Sequence, residues 1–266
     1  MAHNPTDLYD ADAHIAEVYD QSETQNADVR LIRRLIPSGD PLQILEPFCG
    51  TGRILLPLAV DGHEVTGIDS SRAMIARARH KVALQPEEVQ YQVVLEEGDV
   101  LEVNWPRSCD LVILGRNSLN ELATPEEQEA CIQKAVRALK RGGYLYVDND
   151  PMEGELDPAW QATGLLEKNG LLGTCADGAR VEIFSEMVWF DAPKRLARFR
   201  RRVEITPPDG EKIIKEFEQQ KHLVSMAEVR GWLEQNGFEI EKLFGDYDGS
   251  PYEAASPRAI FWAKKA

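Results

Sequence analysis

The stretch Gln43-Ile44-Leu45-Glu46-Pro47-Phe48-Cys49-Gly50-Thr51-Gly52-Arg53-Ile54-Leu55-Leu56 constrains this chain more than any other. A short apolar run reads as a buried parallel strand, the glycines as a tight turn, and the apolar residues after Arg53 as the opening of a helix. Gly50 and Gly52 let the backbone pass where a side chain would collide with a ligand, and the helix start aims unpaired N–H groups at the same point. Such a unit cradles a nucleotide or a nucleoside. Two features speak against a pyrophosphate. The third position of a G-x-G-x-x-G motif is Leu55, and Glu46 puts a carboxylate at the head of the loop, where it repels phosphate and suits ammonium or hydroxyl groups.

From Gly62 to Met74 the chain reads Gly-His-Glu-Val-Thr-Gly-Ile-Asp-Ser-Ser-Arg-Ala-Met, a second strand closing on Asp69 and a helix opening at Ser70 or Ser71. Asp69 stands 19 positions after Gly50, near the roughly 20 at which an acid ending the second strand bonds ribose hydroxyls. An aspartate there also caps the following helix. Its arrival together with the glycine turn favours the sugar.

Further landmarks follow in order: Glu97-Gly98-Asp99-Val100, then Cys109-Asp110-Leu111-Val112-Ile113-Leu114-Gly115, then Leu139-Lys140-Arg141-Gly142-Gly143-Tyr144-Leu145-Tyr146-Val147-Asp148. Together with the glycine turn they resemble the cofactor half of the class I S-adenosylmethionine-dependent methyltransferases. The resemblance implies S-adenosylmethionine as cofactor, with Glu46, Gly50 and Gly52 lining its methionine part, Asp69 its ribose, and Asp99 with Val100 the adenine edge. Met74 would flank the adenine, and Arg53, Ser70 and Gly115 would complete the site. The segment Ile15-Ala16-Glu17-Val18-Tyr19-Asp20-Gln21 is similar to the leading segment that closes over the cofactor in small-molecule methyltransferases, which brings Tyr19 into the same set.

The alternation of elements agrees with that fold. Strands are expected over 42–46, 64–69, 90–95, 110–114 and 144–147, and helices around 31–36, over 71–83, and after the capping box Thr124-Pro125-Glu126-Glu127, the last one stopped by Gly142-Gly143. Strands alternating with helices imply a parallel sheet with both faces covered. From Val181 the texture changes to three runs, 181–190, 195–206 and 212–224, separated by Asp191-Ala192-Pro193-Lys194 and Pro207-Pro208-Asp209-Gly210. Their even alternation with charge predicts an antiparallel meander whose solvated face carries Arg198, Arg200 and Arg202. A helix over 226–236 and an antiparallel pair of strands, 238–244 and 258–263, then close the sheet. The expected fold is α/β: a Rossmann-like seven-stranded, mostly parallel sheet with helices on both faces. It comprises residues 1–154 and 225–266, with a small antiparallel β lobe, residues 155–224, inserted after strand five as a lid.

Loops after strands one, four and five should face the transferable methyl group. Gly115-Arg116-Asn117-Ser118-Leu119-Asn120-Glu121-Leu122 resembles the corresponding loop of glycine N-methyltransferase and its bacterial small-molecule relatives, many of which carry histidine where Glu121 stands. After strand five, Asp150 occupies the place where glycine N-methyltransferase has an arginine that grips a carboxylate. A carboxylate there suits an amine or hydroxyl instead, so the expected acceptor is a cationic or polyhydroxylated small molecule. Glu121 would align the nucleophile or take its proton, Asp150 would orient it, and Arg116 and Asn117 would fix the rest. Tyr247, in Gly245-Asp246-Tyr247-Asp248-Gly249-Ser250-Pro251, is a candidate wall of that pocket, though the segment is also ordinary turn chemistry.

The net charge of −15 disfavours a nucleic-acid partner, because an acidic envelope repels phosphate before contact. Cysteines 49, 109, 131 and 175 show neither a C-x-x-C pair nor a metal-ligand rhythm with the histidines, and read as reduced, mostly buried thiols with no metal. No run is long and apolar enough for a membrane span, and no leader pattern opens the chain, so a cytoplasmic protein without a membrane partner is expected; homo-oligomerisation stays open. Two other readings compete: a protein that binds S-adenosylmethionine without catalysis, and a nicotinamide-dependent oxidoreductase, which the missing third glycine disfavours.

Overall fold

The computed structural model describes residues 8–153, 164 and 166–266. Its first strand, β1 (Gln43–Pro47), lies inside the main sheet and is buried on both faces as such a parallel strand must be. On one side of it lie β2 (Glu64–Asp69) and β3 (Val93–Glu97), on the other β4 (Cys109–Leu114) and β5 (Leu139–Asn149), all parallel. The chain returns late to add β10 (Phe238–Phe244) and β11 (Ala259–Lys265), giving the order β10-β11-β5-β4-β1-β2-β3 with β11 antiparallel to both neighbours. Connections leave β1 one way toward β2 and return to β4 on the other side, so the carboxyl ends of β1 and β4 flank the switch point where such sheets bind ligands.

Side chains alternate across the sheet. Leu45, Val112, Leu145 and Phe261 pack against Ile132 and Ala135 of α6 (Pro125–Ala138) and Leu233 of α7 (Met226–Gln235). Ile44, Leu111, Tyr146 and Ile260 face Ile32 of α2 (Ala27–Leu35) and Leu58 of α3 (Leu55–Val60). The Thr124 capping box forms as expected, and Ser225 with Glu228 makes a second one at α7.

Two boundaries differ from the sequence reading. Glu87–Gln90 forms a short helical turn, α5, so the third strand starts at Val93; Glu87 and Glu88 sit in that first turn, where acids are favoured. Gly142 and Gly143 do not stop α6, which ends at Ala138, but lie inside β5. Gly142 has φ +75°, and a Cβ on Gly143 would come within 3.0 Å of the Cys109 carbonyl oxygen and 3.1 Å of that of Asp110. The glycines serve an irregularity in the pairing with β4.

The inserted segment forms a separate four-stranded antiparallel sheet, β6 (Leu166–Thr174), β7 (Arg180–Asp191), β8 (Leu196–Thr206) and β9 (Ile213–His222) in that order. Three of these strands match the expected runs, and β6 is additional. The expected boundary at 154/155 lies outside the described residues. Arg200 and Arg202 pair with Glu186 and Glu216 on the solvated face, a ladder worth little individually. The inner face packs Val181, Ile183, Val203 and Ile205 against Ile15 and Val18 of α1 (Ala13–Ser22), so α1 is held between this sheet and the helix Arg72–Ala83. All four cysteines are free and buried. No helix among the described residues is long and apolar enough to cross a membrane, and no group of three or more His, Cys, Asp or Glu among them could hold a metal ion.

Candidate active site

The turn after β1 is built by positive φ at Gly50 (+53°) and Gly52 (+75°), which glycine adopts without penalty. Asp69 closes it from β2: Oδ2 accepts the Gly50 N–H at 2.8 Å and Oδ1 accepts the Ser71 N–H at 2.9 Å. Ser71 then caps α4 (Arg72–Ala83), its hydroxyl accepting from Met74 N–H. Over this floor lies a cavity of about 480 Å³, within the usual range for small-molecule sites. Tyr19, Glu46, Gly50, Arg53, Asp69, Ser70, Met74, Asp99, Val100 and Gly115 are among the residues lining it, as are Arg116 and Glu121. Gly52 lies in the turn but not on the wall. Asn117, Asp150 and Tyr247 do not line it.

Glu46 is 4% exposed. Burial pushes its carboxyl up to about 8, against the pull of Arg53 and with the repulsion of Asp28 and Asp69. Its Oε2 has no hydrogen-bond partner among the described residues. Arg53, the cation that pulls on it, donates instead to both oxygens of the buried Asp28 and to the Gln25 carbonyl at 2.8 Å. Arg53 therefore ties the start of α2 to the glycine turn while also lining the cavity.

The roof comes from α1. Tyr19 and Tyr9 meet edge-to-face at 5.9 Å above the floor. Asp20, the next residue, accepts from Thr51 Oγ1 at 2.6 Å, Lys81 Nζ at 2.9 Å and Arg77 Nε at 2.8 Å. Burial opposes its ionisation, yet the bonds from Arg77, Thr51 and Lys81 outweigh that and keep the carboxyl below its ordinary value. One carboxylate thus fastens the roof to the turn and to α4.

At the other end, Arg116 (φ +53°) and Asn117 (+63°) adopt backbone angles rare outside glycine. What holds them is a buried network behind the wall. Asp148, fully buried, accepts from Arg258 Nε at 2.9 Å, the Tyr247 hydroxyl at 2.9 Å and the Arg116 N–H at 3.2 Å. Asn117 and Asp150 bond reciprocally, Asp150 N–H to Asn117 Oδ1 at 2.7 Å and Asn117 Nδ2 to Asp150 Oδ2 at 3.1 Å, and Arg258 pairs with Asp150. Asp150, Asn117 and Tyr247 therefore shape the loop from behind rather than face the cavity, because Arg258, which sequence reasoning missed, draws them to itself. The Arg116 side chain reaches Glu23 at the end of α1.

Glu121 stands on a single 3-10 turn, Ser118–Glu121. Lys221 Nζ donates to its Oε1 at 2.8 Å and Gln219 Nε2 to its Oε2 at 3.3 Å, both from β9. The inserted sheet thus completes this end of the cavity through Glu218, Gln219 and Gln220. No sequence signal marked these residues, since their run reads as a solvated meander.

Residues 44–143 match a family model described as a methyltransferase domain. The cypemycin N-terminal methyltransferase of Streptomyces sp is 26% identical over 222 residues, which are 82% of this chain and 80% of that protein. The chain carries an S-adenosylmethionine-dependent methyltransferase domain. Another relative, the putative methyltransferase YqeM of Bacillus subtilis, is 35% identical to this methyltransferase over 108 residues, 40% of this chain and 41% of its own. The structure of the CcbJ methyltransferase from Streptomyces caelestis superposes with a TM-score of 0.71 at 23% identity, covering 98% of this chain and 99% of that one. The sugar N-methyltransferase KedS8 from Streptoalloteichus sp gives 0.71 at 19%, covering 100% and 98%. These likenesses place the inserted antiparallel sheet within the fold of this methyltransferase. Its cofactor, S-adenosylmethionine, fits the chemistry of the cavity: the buried Glu46 carboxyl has an oxygen without a partner among the described residues, which would suit an ammonium group, and the cofactor carries no phosphate for it to repel.

Proposed function

We propose that this methyltransferase transfers the methyl group of S-adenosylmethionine to the nitrogen of a small amine, held between the Glu121 turn and β9. In this reading Glu46 receives the cofactor's ammonium group, the Gly50 turn lies along its methionine part, Asp69 takes the ribose, and Met74 with Asp99 and Val100 borders the adenine. Tyr19 and the rest of α1 close over it. The observation that carries the choice of acceptor is the clamped Glu121 carboxylate, both of whose oxygens are fixed from the inserted sheet.

The bound cofactor supplies an electrophilic methyl group on a sulfonium, open to in-line displacement. Alignment alone supplies on the order of 7–11 kcal/mol for such a step, and the rigid loop behind Arg116 and the β9 wall provide it. Glu121 accepts an N–H of the acceptor amine, pointing the nitrogen lone pair at the methyl carbon. The positive charge that passes from sulfur to nitrogen in that displacement would lie beside this carboxylate. A carboxylate whose oxygens are already engaged by Lys221 and Gln219 orients rather than deprotonates, which suits an amine, nucleophilic once neutral, better than a hydroxyl that must be deprotonated. Names among the similar structures agree with an amine: KedS8 is titled a sugar N-methyltransferase and CalS10 an amino pentose methyltransferase.

The test is incubation with methyl-labelled cofactor and a panel of small amines, amino acids and phenols, with products resolved by mass. Label is expected in amines, and Glu121→Ala is expected to lower kcat/KM by about 10²-fold while cofactor affinity holds. Label in phenols alone would refute the amine reading.

A further inference from the structure

Gln219 lies on β9 and is 6% exposed. Its amide has one acceptor and two donors to place. Nε2 donates to Glu121 Oε2 at 3.3 Å, and this fixes the amide's orientation, because the reverse flip would set a carbonyl against a carboxylate. The carbonyl oxygen, Oε1, is therefore the free end, and it is buried without a partner among the described residues. Ser118, also 6% exposed, begins the turn that carries Glu121, and its hydroxyl is likewise buried without a partner. Both residues line the cavity together with Glu121. Buried polar atoms left unpaired in a native fold call for an explanation, and a bound ligand group is one.

The two atoms are held still. His222, at the end of β9 and 1% exposed, meets Gln128 Oε1 through Nδ1 at 2.7 Å. Gln128 Nε2 in turn donates to the Leu119 carbonyl at 2.9 Å and the His222 carbonyl at 3.1 Å. Gln220 Nε2 donates to the Ala123 carbonyl at 3.2 Å. Main chain on both sides of Glu121 is thus stapled to β9, so Gln219, Ser118 and Glu121 form one rigid constellation.

We infer that Gln219, with Ser118, determines acceptor specificity by receiving a hydroxyl that stands beside the amine to be methylated, so that the acceptor is an amino alcohol. The inference rests on the amine reading above. Glu121 takes the amine N–H, and Gln219 Oε1 accepts the neighbouring O–H. Lys221 Nζ, 2.8 Å from Glu121, disfavours a second cation at that place and so favours hydroxyl over a second ammonium group. A site built to bond a hydroxyl discriminates against the analogue lacking it, since its buried groups are then left unpaired.

The experiment uses the full chain and two matched probes, trans-2-aminocyclohexanol and cyclohexylamine. Each is titrated calorimetrically into the protein saturated with S-adenosylhomocysteine, then assayed for methylation. The wild type is expected to prefer the amino alcohol by about tenfold or more in both Kd and kcat/KM. In Gln219→Leu the preference should fall below about twofold, with KM for S-adenosylmethionine unchanged, and Ser118→Ala should lower it in part. The unchanged cofactor KM shows that each variant is folded. Equal binding of the two probes by the wild type, or an undiminished preference in Gln219→Leu, overturns the inference while leaving the amine reading intact. Cofactor binding with methylation of neither probe, nor of any other amine, removes the amine reading and this inference with it.

Discussion

Replacing Arg258 with methionine should expose how much of this site depends on one buried charge pair. Arg258 reaches Asp148 through Nε at 2.9 Å and again through Nη2, and it also bonds Asn117 and Asp150. Asp148 is fully buried. Truncating one member of a buried pair costs about 3–5 kcal/mol, since it strands the other. Asp148 keeps the Tyr247 hydroxyl and the Arg116 N–H, which argues for the lower end, about 3 kcal/mol. At about 2–4 °C per kcal/mol for a chain of this size, Tm should fall by about 6–12 °C. The pH dependence gives a second check. Burial already raises the Asp148 carboxyl above its ordinary value of 3.8, against the pull of Arg258, and removing Arg258 raises it further. A carboxyl raised in the fold contributes stability that is fully present below its unfolded value and lost as pH rises through the folded one. The deficit of Arg258→Met should therefore be larger at pH 8 than at pH 5, as measured by urea unfolding at both. A variant within about 1 kcal/mol of wild type at pH 8, or a deficit that grows toward acid, would refute the reasoning.

Glu46→Gln should act oppositely on the free and the cofactor-bound protein. With its carboxyl raised from 4.5 to about 8, Glu46 costs the free protein stability as pH climbs through that interval, so the variant should melt above wild type at pH 9 and level with it near pH 5 in scanning calorimetry. Its affinity for S-adenosylmethionine should fall by about ten- to a hundredfold, the loss of a charge-assisted hydrogen bond. Asp20→Ala unfastens the roof from Thr51, Arg77 and Lys81; cofactor affinity should drop about tenfold, mainly through faster release in stopped-flow measurements, at a cost of about 1–3 kcal/mol in stability. Unchanged release would mean that α1 does not retain the cofactor.

The parts of this fold that were legible before the structure are those fixed by local chemistry. Strand β2 and helix α4 fall where the glycine turn, the apolar runs and the Ser71 cap place them, and the Thr124 capping box marks α6 to the residue. Strand β6 was missed because Leu166-Glu-Lys-Asn-Gly170 carries turn residues where alternation would be sought. Gly142 and Gly143 misled for the opposite reason: glycine ends helices, but it also admits close backbone approach, and here the carbonyls of Cys109 and Asp110 make that approach. The end of the cavity built on the glycine turn was readable because its residues sit in short motifs with fixed spacing. The opposite end was not, since it joins Ser118 and Glu121 to Gln219 across about a hundred residues. For the same reason Asp150 looked like a group facing a ligand until Arg258, 108 positions later, was seen to hold it.

Calorimetric titration of S-adenosylmethionine into wild type and Asp69→Ala tests the cofactor assignment most directly, with NADH as the control ligand. Asp69 lines the cavity and also ties Gly50 to Ser71, so wild type should bind one S-adenosylmethionine per chain, the variant none that is measurable, and neither should bind NADH. Binding of NADH without S-adenosylmethionine, or equal S-adenosylmethionine affinity in both proteins, would contradict the account.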